Sequence, residues 1–173
     1  MKMTPHLTGF VGVVRVMTRY WALLGGVFIF SIVALNVYSV AQVMLFDRPF
    51  PGVYELVQMG VAMGMFMFLP YCQISGSNVT ADIFTANLGK NAVAALGGLG
   101  ALFALALSIL LLWRMYLGFG DMLAYGETTA IYQIPLWYAY VPILMSLVLM
   151  AFAAMANLVQ ARQGIVPHEV ESA

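Results

Sequence analysis

Of the 173 residues, 63% are hydrophobic and only 8% are charged. A soluble domain carries roughly 25% charged residues, so this chain has too few to cover a water-facing surface and its solvent must be lipid. Seven basic residues balance seven acidic ones, which leaves no electrostatic footprint for nucleic acid, and the lone Cys72 excludes an internal disulfide framework.

Residues 5–19 come first. Leu7, Phe10, Val11, Val14 and Met17 recur at helical spacing, with Arg15 and Arg19 off that stripe. This pattern predicts an amphipathic helix lying on the membrane surface, with an extension of the first span as the alternative. No short apolar core leads to a small-residue cleavage site, so this start reads as retained rather than as a secretory signal.

A bilayer core about 30 Å thick asks for about 20 apolar residues in a helix. Residues 20–46, 53–71, 92–119 and 135–158 meet that demand, and lipid offers no partner to open strands. The expectation is therefore an all-α membrane protein, one domain of four transmembrane helices over residues 1–173. The first stretch holds no charge and is roughly 40 Å long at 1.5 Å per residue, so it should tilt or protrude.

The first loop brings Asp47, Arg48, Pro49 and Pro51, and Glu55 lies about one turn into the second span. Gly60 and Gly64 form a G-x-x-x-G, which holds the bundle together or faces another membrane protein. Met59, Met63, Met65 and Met67 suit adaptable packing. The next loop, with Val79, Ile83 and Phe84, predicts a second short amphipathic helix. Ala94, Gly97, Gly98 and Ala101 give the third span a small-residue patch, and Arg114 sits near its far end. Asp121 and Glu127 then fall in a loop, "GETTAIYQ" closes it, and "IPLWYAY" returns the chain to the bilayer. Pro135 suits a helix start, where its missing N–H has no partner to lose. Trp137, Tyr138 and Tyr140 suit the headgroup belt.

Basic residues set orientation. Lys2, Arg15, Arg19, Lys90 and Arg162 share one side, and Arg48 and Arg114 share the other. Five against two predicts N-in/C-in, with Asp47, Glu55, Asp121 and Glu127 on the outer rim.

Little of this supports catalysis. His6 and His168 lie outside every span, whereas a bundle-bound haem wants histidines within them. No clustered His, Cys or carboxylate set suggests a metal, so no cofactor is expected. No ionisable group sits at the centre of a span, where an autonomous pump or channel would keep one. Asn36, Ser39, Gln42, Gln58, Ser108, Ser146 and Asn157 need helix-to-helix partners instead.

Three loops carry a resemblance. "FDRPFPGVYEL" is similar to the first outer loop of the small, DctQ-like membrane subunit of tripartite ATP-independent periplasmic (TRAP) transporters, matching it at Phe46, Pro49, Pro51, Glu55 and Leu56. "GSNVTADIF" resembles that family's inner loop at Gly76, Val79 and Asp82, with Asn78 in place of the usual histidine. "GETTAIYQIPLWYAY" resembles its last outer loop at Glu127, Thr128, Ile134, Pro135 and Trp137. Val43 stands where many members carry arginine. The resemblance implies a non-catalytic subunit of a sodium-coupled organic-acid transporter in the bacterial inner membrane. Its implied partners are a large membrane subunit and a periplasmic substrate-binding protein. Arg48, Pro49, Pro51, Glu55, Asp82, Arg114, Asp121, Glu127, Pro135 and Trp137 become motif and candidate docking positions. A self-sufficient four-span carrier, or the membrane anchor of a redox complex, are the rival readings.

Overall fold

The computed structural model describes residues 5–48, 50–75 and 90–162. Four helices follow in chain order: α1 Pro5–Phe46, α2 Val53–Ile74, α3 Lys90–Tyr125 and α4 Trp137–Arg162. Each contains a segment long and apolar enough to cross a membrane. The chain is thus an all-α, four-helix membrane protein.

The separate surface helix expected over residues 5–19 is not present. Those residues are the first turns of the continuous 42-residue α1, because Pro5 sits at its start and nothing breaks the helix before Asp47. Part of the apolar stripe of this segment is spent on protein, while Phe10 and Met17 stay exposed. Val11 and Val14 are buried with Ile74 of α2 and with Ala153 and Ala156 of α4. At about 63 Å, α1 is twice the hydrocarbon thickness. The third helix is also longer than expected: it runs to Tyr125, and Gly126, at φ 64°, ends it with its N–H returned to the Met122 carbonyl at 3.1 Å. The second amphipathic helix expected around Val79, Ile83 and Phe84 lies outside the described residues.

The four helices form an open row. α4 packs along α3 on one side and α2 on the other, α2 also packs on α1, and α1 touches α4 more lightly. Burial follows that order. In the most apolar window of α4, 44% of residues are buried, against 6% for α1 and 11% for α3. Ile143, Leu147 and Met150 of α4 form a second core cluster, covered by Phe66 and Leu69 of α2 and by Leu111, Leu112 and Met115 of α3.

Glycine sets the α1–α2 distance. A Cβ on Gly60 would collide with the Ile32 side chain, and one on Gly64 with the Ile29 side chain; a Cβ on Gly25 would lie 2.8 Å from the Met67 Cβ and 3.6 Å from the Gly64 carbonyl oxygen. The G-x-x-x-G motif therefore faces α1 within this chain, not another protein. On α3, Ala101 is buried and a Cβ on Gly98 would reach Ala161 at 3.5 Å, while Gly97 faces open space.

The polar residues within the helices divide. The Trp21 indole N–H donates to Ser146 Oγ at 2.9 Å, and that hydroxyl donates to the Pro142 carbonyl at 2.7 Å. Asn157 Nδ2 donates to the Gln73 carbonyl. These two bonds tie α4 to α1 and to α2. Ser108 bonds only the Leu105 carbonyl of its own helix, and Gln42 Nε2 donates to the Tyr38 hydroxyl one turn away. Asn36 and Gln58 are exposed.

Candidate functional site: a clamped pair of loops

The α1–α2 and α3–α4 connections meet at one end of the row. The second of these is built, not slack. The Leu136 N–H donates to the Glu127 carbonyl at 3.0 Å. Thr129 and Ile134 are joined twice, by the Thr129 N–H to the Ile134 carbonyl at 2.9 Å and by the Ile134 N–H to Thr129 Oγ1 at 3.1 Å. Gln133, at φ 52°, makes the return, and its N–H donates to the Thr129 carbonyl at 3.1 Å. Thr128 and Pro135 form the bridge between the two arms. Ala130, Ile131 and Tyr132 are left at the tip.

That tip reaches the start of α2. Both Glu55 carboxylate oxygens accept from the Ile131 N–H, at 3.0 and 3.2 Å. The Tyr132 hydroxyl donates to the Pro51 carbonyl at 2.9 Å. Gly52 lies beneath the Tyr132 ring with φ 72°, and its carbonyl accepts from the Glu55 and Leu56 N–H groups to open α2. Glu55 also stands in the first helical turn, where the macrodipole favours a negative charge. Its carboxylate is therefore a brace between two loops that are 76 residues apart in sequence.

The aromatic anchor assembles beside the clamp. Trp137 stacks on Tyr138 with ring centroids 4.1 Å apart, and Phe119 of α3 meets Trp137 edge-on at 6.4 Å and Tyr140 at the same distance. Pro135 falls two residues before α4, where its carbonyl accepts from the Tyr138 N–H at 3.2 Å.

The structure joins Pro51, Glu55, Glu127 and Pro135 in or beside the clamp, and leaves Arg48 exposed at the same end. Asp121, expected in the loop, is exposed on the last turns of α3, because that helix continues to Tyr125. Arg114 lies exposed three turns before the end of the same helix. Pro49 and Asp82 lie outside the described residues. Gly52, Thr129, Ile131 and Tyr132 escaped sequence reasoning; only the Pro51-Gly52 dipeptide advertises a turn. Among the described residues, no three His, Cys, Asp or Glu side chains gather around a possible metal position.

Removing the brace has a defined consequence. A hydrogen bond to a charged acceptor contributes roughly 1.5–3 kcal/mol, and the partial exposure of Glu55 argues for the lower end. Glu55→Ala is expected to speed hydrogen exchange at the Ile131 amide by about tenfold, with helix amides unchanged. An unaltered Ile131 rate would show that the bond does not hold the tip.

These features define a multi-pass membrane protein whose specific chemistry is structural: helices packed through glycine, and loops clasped at one end. Residues 29–164 match the family described as tripartite ATP-independent periplasmic transporters, DctQ component. The chain belongs to that family, as a non-catalytic small membrane subunit resident in the bacterial inner membrane. Neither a curated protein nor a solved structure matches it.

Proposed function

We infer that this subunit is a fixed scaffold for a large membrane subunit that carries an organic acid with sodium, and that its clamped loop end faces the periplasm and a substrate-binding protein. The observation that carries this reading is the unequal burial of the four helices. α1 and α3 leave most of their apolar surface uncovered by this chain, which suits helices that meet lipid and another membrane protein. The N-in/C-in orientation draws on the five-to-two bias of basic residues. The chain acts as one domain, since α4 reaches every other helix.

Two measurements test this. A tagged chain should copurify with a roughly twelve-span partner, and liposomes holding the chain alone should take up no organic acid on a sodium gradient. Uptake by the isolated chain would defeat the scaffold reading. Cys72, near the end of α2 remote from the clamp, should escape an impermeant thiol reagent in intact spheroplasts; labelling from outside would reverse the orientation.

Docking of the binding protein falls to Arg48, Asp121 and Glu127, which are exposed, since the Glu55 carboxylate is engaged by the Ile131 amide. Exposed rim charges tune association rate more than affinity. Reversal of Asp121 and Glu127 to lysine is expected to slow uptake at low salt and to leave copurification intact. Equal uptake at every ionic strength would remove the docking role.

A further inference from the structure

Toward the end of the row away from the clamp, the surfaces of α1 and α2 leave an open groove of about 570 Å³ between them. Leu23, Gly26, Val27 and Phe30 of α1 and Phe68 of α2 form its apolar walls. Arg19 and Tyr71 also line it. Because the helices run antiparallel, with Gly25 facing Met67 and Gly64 facing Ile29, these two polar groups share one end.

The dimensions are those of one leaflet. From Arg19 to Phe30 the helix rises about 16 Å, close to half of a hydrocarbon core about 30 Å thick. Arg19 also marks the edge of the membrane, since the next charge along α1 is absent until Asp47 and Arg48 beyond its far end. Among the described residues that line the groove, Arg19 carries the one charge and none is acidic.

The geometry points to a bound glycerophospholipid with an anionic headgroup, one acyl chain lying along Leu23, Val27 and Phe30 and its phosphate held by Arg19. A guanidinium bonds phosphate bidentately, which makes arginine the apt cation. Tyr71 supplies a second donor at the same end. A groove of this volume is of small-ligand size, whereas a partner helix with its side chains is about 10–12 Å across and would leave Arg19 unpaired in a nonpolar contact. Gly26 keeps the slot open: a Cβ there would meet only the Phe68 ring, at 3.9 Å, and a longer side chain would occupy the groove itself.

The test uses the full-length chain, purified in detergent with any subunits that remain bound, stripped of lipid and titrated with phosphatidylglycerol or phosphatidylcholine under native mass spectrometry. Phosphatidylglycerol should bind about fivefold more tightly, the worth of one basic residue against an anionic surface. Arg19→Gln should abolish that preference. Gly26→Leu should weaken both lipids alike, while Gly97→Leu, on an open face of α3, should change neither. A photo-reactive residue at Val27 should label lipid in membranes. A preference that survives Arg19→Gln, undiminished binding by Gly26→Leu, or a Val27 adduct with polypeptide in place of lipid would overturn the assignment.

Discussion

Leucine at position 64 is expected to force α1 and α2 apart. Even a Cβ there collides with the end of the Ile29 side chain, and isoleucine is β-branched, with few alternative rotamers on a helix. Alanine can be absorbed by a small shift of that side chain; leucine cannot. Overpacking of a close contact costs roughly 1–3 kcal/mol, and the gain in helix propensity over glycine returns up to about 1 kcal/mol. The expected net loss is about 1 kcal/mol, or roughly 2–4 °C in thermal midpoint for a chain of this size. Circular dichroism on the purified protein reads the shift. Combining Gly64→Leu with Ile29→Ala should recover part of the loss, because contacting sites couple. Strict additivity in that cycle would mean that Ile29 is not what the glycine accommodates.

Valine at position 52 should act locally. Gly52 has φ 72°, a region that costs an ordinary residue roughly 1–2 kcal/mol and is a genuine outlier for a β-branched one. A Cβ there would also stand 2.5 and 2.8 Å from two Tyr132 ring atoms. The ring must leave, and with it the hydroxyl bond to Pro51. The loop tip then loses its position over α2, and the Glu55 brace with it. The combined effect is on the order of 3 kcal/mol, from backbone strain and one or two lost hydrogen bonds. Proteolysis between residues 127 and 134 should accelerate more than tenfold, with helix content retained. Equal cleavage rates in the variant and the parent would contradict the clamp.

The spans were legible because lipid imposes length and excludes charge, so Asp47, Arg48 and the Ile-Pro-Leu-Trp run mark where helices meet water. The family motifs were legible in their loops for the same reason: Pro51, Glu55, Pro135 and Trp137 sit at those boundaries. What the boundaries hold together was not legible. Glu55 and Ile131 are 76 residues apart, and the bond uses a backbone amide that any residue at 131 would supply. The stripe of Val11 and Val14 looks alike whether it faces a membrane surface or the ends of α2 and α4. Gly60 and Gly64 announce a close approach without naming the helix approached. The extension of α3 past Phe119 had one usable signal, Gly126 as a C-terminal glycine, which the earlier Gly118 and Gly120 obscured.

The row order of the helices bears on how the chain is made. α1 and α2 fit each other through Gly25, Gly60 and Gly64, so a hairpin can close as soon as both have left the ribosome. α3 gains its main neighbour only when α4 arrives. Synthesis proceeds at roughly 5–20 residues per second, so for several seconds the nascent third helix stands in the bilayer without its mate. The last segment translated is the one that touches all the others. A chain cut short before residue 137 would keep its α1–α2 hairpin and lose the helix that joins it to α3.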